Sequence, residues 1–237
     1  MHIALQYQCD YAADPDLPHS WRYTRSRAGA GALLDLGTHA IDMARFLIGE
    51  VDEVVGAMST IAIKRRFVAQ GATIGHDRVA LSAETRLVDN DDVVSALLRF
   101  ENGCQGLFSA SRVAVGFGNA LSITVAGAKG TVAFTTTAPG KYEIAQFDGS
   151  GQSPFRVVNN RPSFPYAGAL LPVPHDGVAV GYAEAFGFMI HDFLAAVAAG
   201  EAMRNGSMLD GLRAAEILDA IDLAAARGGS VPVHRSA

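Results

Sequence analysis

A long central region, in which strand-like runs follow one another with no helix between them, limits the possible folds most. From about residue 79 to residue 159, runs of β-branched residues alternate with turns that contain glycine. The clearest hairpin joins residues 93–100 to residues 104–115 through Glu101-Asn102-Gly103, and Asn-Gly is the strongest short hairpin signal. Such a succession predicts an antiparallel meander and argues against alternating βαβ units.

The flanking segments complete an α+β pattern. Alternating apolar residues predict a first strand at residues 2–9, helical signals follow at residues 29–49, and another strand follows at residues 51–63. Two helices close the chain, over Tyr182–Ala199 and Met208–Arg227. Further strands are predicted at residues 121–126, 131–136, 141–147 and 155–158, whereas residues 67–77 show no pattern. We therefore expect a large, mainly antiparallel open sheet with helices packed on one face.

The length of 237 residues allows one large domain or two small ones, and we expect a single domain over residues 1–237. Apolar residues make up 49% of the chain, which is ample for a core. Only 18% of the residues are charged, which is low for a globular surface and predicts that another subunit or another domain covers part of it. The net charge is −5 and the longest basic run is Lys64-Arg65-Arg66, so nucleic acid is not expected as a partner.

The cysteines and the hydropathy pattern bear on compartment. Cys9 and Cys104 lie far apart and belong to no Cys/His cluster, so no metal site is predicted and a reducing compartment is expected. No signal-peptide pattern and no apolar run of membrane-spanning length is seen, so we expect a cytoplasmic protein with no membrane partner.

Residues 29–49 read as one helix that is apolar on nearly every side, which predicts a buried helix with a narrow polar seam. Asp35, His39 and Asp42 form this seam. Asp35 and His39 are spaced i, i+4, and a carboxylate beside an imidazole can serve proton transfer. A structural Asp–His pair, or Asp35 as a cap for backbone amides, is the alternative. For Asp42, pairing with Arg45 or with a neighbouring segment is expected.

Other candidates for ligand contact lie outside this seam. Trp21 and Arg22 can form the wall of a pocket, although a lone tryptophan is also a common core residue. His175 lies in a loop rich in proline and glycine at residues 160–180, and Tyr182 follows it, so both can reach a polar ligand or serve loop packing.

Two short glycine motifs resemble the start of a dinucleotide fingerprint. In Gly29-Ala30-Gly31 and Gly116-Phe117-Gly118, the position of the third glycine is taken by Leu34 and Leu121. Packing or turn roles are therefore expected for these glycines, and the cofactor-binding residues stay unknown.

Together these segments carry a resemblance to a known family. The chain resembles the C-terminal domain of the Gfo/Idh/MocA oxidoreductases, which is similar in fold to dihydrodipicolinate reductase. The resemblance is carried by Ser20-Trp21-Arg22, by the Gly-x-x-x-Asp-x-Gly-x-His stretch from Gly31 to His39, by Arg45-Phe46-Leu47, by residues 98–103, by Ser111-Arg112, by residues 125–131 and by the final helices.

The resemblance implies part of an NAD(P)-dependent sugar or polyol dehydrogenase that forms dimers or tetramers through the sheet face. It places His39 where it would bind or protonate the substrate oxygen, and Asp35 where it would orient His39 or a substrate hydroxyl. Arg22 and Tyr182 become candidates for contact with substrate or cofactor.

The family's Rossmann domain and its Glu-Lys-Pro lysine are not found in this sequence. Lys64, Lys129 and Lys141 are the only lysines, and none precedes a proline. We therefore expect NAD or NADP to serve the complete enzyme, no tight cofactor binding here, and no hydride transfer by this chain alone. The alternatives are a stand-alone binding or assembly protein, and a non-redox sugar lyase or epimerase that uses Asp35 and His39.

Overall fold

The computed structural model describes residues 1–72, 78–159, 161, 175, 181–203 and 206–236. The chain divides into two compact units. The first unit contains His2–Leu121 and Arg213–Ala237, and the second contains Met1 and Ser122–Leu212.

The first unit holds most of the elements. Its strands are β1 (His2–Gln8), β2 (Val51–Thr60), β3 (Arg65–Ala69), β4 (Leu81–Leu87), β5 (Val93–Phe100), β6 (Gln105–Ser111) and β11 (Val231–Pro232). Its helices are a short 3-10 turn (Trp21–Tyr23), α1 (Arg25–Ala28), α2 (Ala32–Asp35), α3 (Gly37–Ile48) and most of α5 (Met208–Arg227).

Five strands of the first unit lie in the order β1-β6-β5-β2-β11. All neighbours are antiparallel except β1 and β6, which run parallel from His2 opposite Gln105 to Gln8 opposite Ser111. A separate antiparallel pair, β3 and β4, was not expected from the sequence because residues 67–77 show no alternation. The β5–β6 hairpin is confirmed.

Helices pack on one face of these five strands. Ile3 and Leu5 of β1, Ile41 of α3 and Leu218 of α5 are fully buried in the resulting core. A side chain at Gly37 would come within 3.1 Å of both Leu218 and Phe108 of β6, so glycine lets α3 lie close to the sheet. The opposite face carries half-exposed Leu97 and Leu107.

The second unit contains an antiparallel run of strands and one long helix. The strands β7 (Ala120–Gly127, whose first two residues fall in the first unit), β8 (Gly130–Thr135), β9 (Lys141–Gln146) and β10 (Arg156–Asn159) pair in succession. The helix α4 spans Tyr182–Ala199. With the first unit, these elements confirm the α+β class with large, mostly antiparallel sheet structure.

By length and composition, α4 alone among the described helices could cross a membrane, with a mean hydropathy of 1.2. Glu184 and Asp192 lie within it. A single helix of this kind is weak evidence for a membrane protein, but it differs from the expectation that the chain holds no apolar run of membrane-spanning length.

The predicted helix at residues 29–49 is wrong in two respects. It is interrupted: α1 ends before Gly29, whose φ is +67°, and Leu36 separates α2 from α3. It is also not buried on every side, because Phe46 is 61% exposed and Leu47 is 44% exposed. The predicted pairing of Asp42 with Arg45 is confirmed by an N–O distance of 3.7 Å.

Candidate functional site

A cavity of about 220 Å³ lies in the first unit, beside the break between α1 and α2. Its wall combines aromatic rings, two arginines and one carboxylate. The lining residues are Tyr11, Trp21, Arg22, Tyr23, Ala28, Ala30, Gly31, Leu34, Asp35 and Arg112.

Asp35 is the only carboxylate in this lining, and it ends α2. The Tyr11 hydroxyl donates a hydrogen bond of 2.5 Å to its Oδ2 atom. Its Oδ1 atom lies 4.0 Å from Nη1 of Arg22, and the Asp35 side chain is 44% exposed. The carboxylate is therefore anchored at one oxygen and accessible from the cavity.

Tyr11 was not singled out from the sequence. Its burial, followed by its hydrogen bond to Asp35, raises the pKa of the Tyr11 phenol well above its ordinary value. The phenol therefore stays neutral and remains a donor across the physiological range. Tyr11 lies in a turn three residues after the end of β1, so the alternation of that strand carries no signal for it.

Trp21 and Arg22 both line the cavity, where the sequence analysis placed them as pocket candidates. The Arg22 guanidinium lies 4.8 Å from the centre of the Trp21 ring, within cation–π range. Trp21 is 52% exposed, so its ring is a surface platform and not a core residue.

In the cavity wall, the Tyr23 ring contacts two buried guanidinium groups, Arg66 at 4.3 Å and Arg112 at 4.9 Å from the ring centre. Arg112 donates two hydrogen bonds, one of 2.8 Å from Nε to the Asp92 carboxylate and one of 2.9 Å from Nη2 to the Asn90 side-chain oxygen. Arg66 donates to backbone carbonyls of the loop after β1. These charges can be buried because each is paired or hydrogen-bonded.

Asn90-Asp91-Asp92, directly before β5, fixes the backbone around the cavity. The Asp91 carboxylate accepts from the amides of Gly31 at 2.7 Å and Leu33 at 2.8 Å, which caps the start of α2. The Asn90 amide donates 2.9 Å to the Arg22 carbonyl. The sequence analysis missed this role, although three consecutive polar residues at the start of a buried strand are an available signal.

His39 lies outside the lining of this cavity. It is exposed on α3, and its ring meets the Tyr7 ring edge-on with centres 6.0 Å apart. Among the described residues, no hydrogen bond or ion pair joins His39 to Asp35. The i, i+4 spacing therefore does not produce a paired Asp–His unit, because Asp35 and His39 stand on two helices separated at Leu36.

The other two candidates are placed elsewhere in the chain. Tyr182 begins α4 and is exposed, with its ring 4.9 Å from that of Phe186. His175 is exposed, and most of the loop at residues 160–180 lies outside the described residues. Neither is among the described residues that line the cavity.

The described residues form neither a metal site nor a phosphate cradle at Gly29 and Gly31. The described part of the chain holds no group of three His, Cys, Asp or Glu side chains placed to bind a metal ion. The Gly31 amide already donates to Asp91, and Gly29 packs on Leu34, so this pair does not fit a phosphate cradle. The helix that follows has four residues.

Known proteins resemble this chain in both sequence and structure. The sequence model of the GFO/IDH/MocA C-terminal domain matches residues 1–133. Levoglucosan dehydrogenase of Pseudarthrobacter phenanthrenivorans is 37% identical over 229 residues, covering 96% of this chain and 58% of the relative. Inositol 2-dehydrogenase of Rhizobium meliloti is 30% identical over 208 residues, covering 87% of this chain and 50% of the relative.

Solved structures of levoglucosan dehydrogenase superpose closely. The apo form has a TM-score of 0.90 at 34% identity and covers 100% of this chain and 60% of its own. The complex with NADH and levoglucosan has a TM-score of 0.86 at 33% identity, with 100% and 59% covered. The chain thus spans about three fifths of the length of these relatives. From the sequence match over more than half of its residues, the chain belongs to the GFO/IDH/MocA family through its C-terminal domain.

Proposed function

We propose that this chain is the substrate-binding part of an NAD-dependent oxidoreductase that acts on a CH–OH group of a sugar or polyol. The observation that carries the proposal is the cavity in which Asp35, Arg22 and Trp21 meet. The relatives named for levoglucosan and inositol support this substrate class. On this proposal residues 1–237 serve as one substrate-binding and oligomerisation domain.

The three side chains match the chemistry of a polyhydroxylated ring. The Asp35 carboxylate accepts hydrogen bonds from hydroxyl groups, and the Arg22 guanidinium donates to their oxygens. The exposed Trp21 ring offers an apolar face to the C–H face of the ring. Family resemblance gives His39 the role of binding or protonating the reacting oxygen, although His39 does not line this cavity.

NAD is the proposed cofactor, because structures of relatives are complexes with NADH. NAD supplies the hydride acceptor in such an enzyme. Since Gly29 and Gly31 do not fit its phosphates, we propose that the cofactor is held outside this chain. The chain alone is then inactive in hydride transfer.

The uncovered face of the first unit is the proposed surface for a homo-oligomer of cytoplasmic subunits. Met58, Leu97 and Leu107 are exposed on that face, around a depression of about 460 Å³. Apolar side chains clustered on an open face favour burial against another surface.

Calorimetric titration of the 237-residue chain with levoglucosan and with myo-inositol tests the proposal. We expect one of them to bind, and we expect Asp35→Asn to weaken that binding about tenfold or more, since a hydrogen bond to a charged acceptor is lost. The matched control is Asp52→Asn, a half-exposed carboxylate on β2 outside the cavity. Equal losses for both variants, or no binding by the wild-type chain, would overturn the proposal.

A second titration, with NADH followed by a turnover assay, tests the cofactor statement. No binding and no turnover are expected for the chain alone. Turnover by the isolated chain would show that the cofactor site lies within these 237 residues.

A further inference from the structure

The two oxygens of Asp35 have different surroundings. Oδ2 accepts from the Tyr11 hydroxyl at 2.5 Å, whereas the atom nearest Oδ1 among the charged groups is Nη1 of Arg22, at 4.0 Å. The first distance is that of a short O–H···O⁻ bond, and the second is too long for a hydrogen bond. One oxygen therefore accepts a hydrogen bond from the protein, whereas the other accepts none from the described residues, and the carboxylate lines the cavity.

Tyr11 is itself held firmly. It follows β1 in a loop whose backbone is fixed by bonds from Cys9 to Ser111 at 2.8 Å and from Ala12 to Arg112 at 3.0 Å. The chain on both sides of Tyr11 is thus hydrogen-bonded to the end of β6. A donor on so fixed a backbone can orient the carboxylate that it contacts.

Resting on the proposed function, we propose that Tyr11 is a positioning residue, whose phenol holds Oδ2 of Asp35 so that Oδ1 is presented to a hydroxyl group of the bound sugar or polyol. On this proposal Arg22 lies beside Oδ1, on the side of the carboxylate that faces the ligand, and it does not compete with Tyr11 for Oδ2. The carboxylate acts as a fixed acceptor, and the ligand hydroxyl is the donor.

The charged and titratable groups around this pair support a neutral phenol. Burial and Asp35 both raise the pKa of Tyr11, Arg112 lowers it, and the Cys9 thiol, in the segment after β1, adds a small effect in the raising direction. Arg22 faces Asp35 from the 3-10 turn. Tyr11 therefore keeps its proton while it serves as a donor.

The first experiment reads the Tyr11 hydroxyl proton by NMR in the full 237-residue chain with labelled tyrosine. We expect a downfield hydroxyl resonance that exchanges slowly with solvent, absent in Tyr11→Phe and moved upfield in Asp35→Asn. The exposed hydroxyl of Tyr182 is the internal comparison for fast exchange. A Tyr11 resonance that Asp35→Asn leaves unchanged would overturn the inference, whatever the chain binds.

The second experiment is a double-mutant cycle on the affinity for levoglucosan and for myo-inositol. Tyr11→Phe is expected to weaken binding about fivefold in the wild-type background and less than about twofold when Asp35 is already asparagine. Tyr142→Phe on β9, which does not line the cavity, is the matched control. Equal losses in both backgrounds would show that Tyr11 acts independently of Asp35 and would overturn the inference.

The two experiments separate the inference from the proposed function. If the hydroxyl resonance responds to Asp35→Asn but the wild-type chain binds neither polyol, the proposed function fails and the positioning of Asp35 by Tyr11 stands. If the polyol binds and the resonance does not respond, the proposed function stands and the role of Tyr11 fails.

Discussion

Gly31 and Asp91 approach each other so closely that a methyl group on Gly31 would lie 2.0 Å from the Asp91 carbonyl oxygen. The same methyl group would lie 2.8 Å from Nη1 of Arg112. No rotation of a side chain relieves the first contact, because the carbonyl belongs to the backbone. Glycine at this position therefore lets the start of α2 dock on the segment before β5.

Gly31→Ala is predicted to destabilise the chain by about 1–3 kcal/mol through this overlap, with loss of ligand binding as α2 moves. Urea unfolding followed by circular dichroism measures the first effect. Gly118→Ala is the control, because a methyl group there meets no atom within 4 Å. Equal unfolding midpoints for the two variants would contradict the prediction.

Asp91→Ala is predicted to cost about 2–4 kcal/mol of unfolding free energy, because two buried amide donors, Gly31 N and Leu33 N, lose their acceptor. Urea denaturation gives this value, and alanine at the exposed Asp16 serves as the comparison. A loss below about 0.5 kcal/mol would mean that these amides find other partners.

Arg112→Met is predicted to cost about 3–5 kcal/mol, because it leaves the Asp92 carboxylate buried without its cation. The matched variant is Arg99→Met, which removes an exposed arginine from its pairs with Asp52 and Glu53 and should cost under about 1 kcal/mol. Chemical denaturation of both variants measures these losses of unfolding free energy. Similar losses would show that the Arg112–Asp92 pair stabilises the fold no more than a surface pair does.

Acid pH is predicted to weaken the fold partly through Glu50. Its hydrogen bond to Arg45 lowers the pKa of Glu50 below its ordinary value of 4.5. A carboxyl group whose pKa is lowered by folding stabilises the fold above the unfolded value, and this contribution is lost as the pH falls through the folded value. Wild type should therefore exceed Glu50→Gln in stability at pH 7, with the gap closing below about pH 4.5.

Thermal unfolding of both proteins between pH 7 and pH 3 measures that gap. Arg45→Met provides the reciprocal check, since it removes the donor while the carboxyl group stays. A gap that is constant with pH would show that the Glu50–Arg45 bond does not form in solution.

Much of the fold could be predicted from local patterns. The β5–β6 hairpin has Asn-Gly at its turn, and α5 begins at a capping box in which the Asp210 amide donates 3.2 Å to the Ser207 hydroxyl. The parallel pairing of β1 with β6 could not be predicted, because it joins segments about a hundred residues apart and no local sequence pattern indicates which strands pair.

Part of the cavity lining was predicted, and the roles of its residues stay predictions. Asp35, Trp21 and Arg22 were identified by motif and do meet in one cavity. Helical spacing predicted that the side chains of His39 and Asp35 lie on the same face of one helix. The break at Leu36 places them on two separate helices instead. Tyr11 and Asp91 were missed because each acts through a long-range contact that periodicity does not contain.

The half-buried hydrogen bonds to the Arg22 carbonyl have a thermodynamic consequence for binding. Asn90 holds that carbonyl at 2.9 Å and Arg112 approaches it at 3.4 Å, so the backbone that carries Arg22 and its neighbour Trp21 is ordered once the chain has folded. A ligand then restricts only the outer part of these side chains. The conformational entropy of this wall is lost during folding, and association should carry a correspondingly small entropic penalty from the protein.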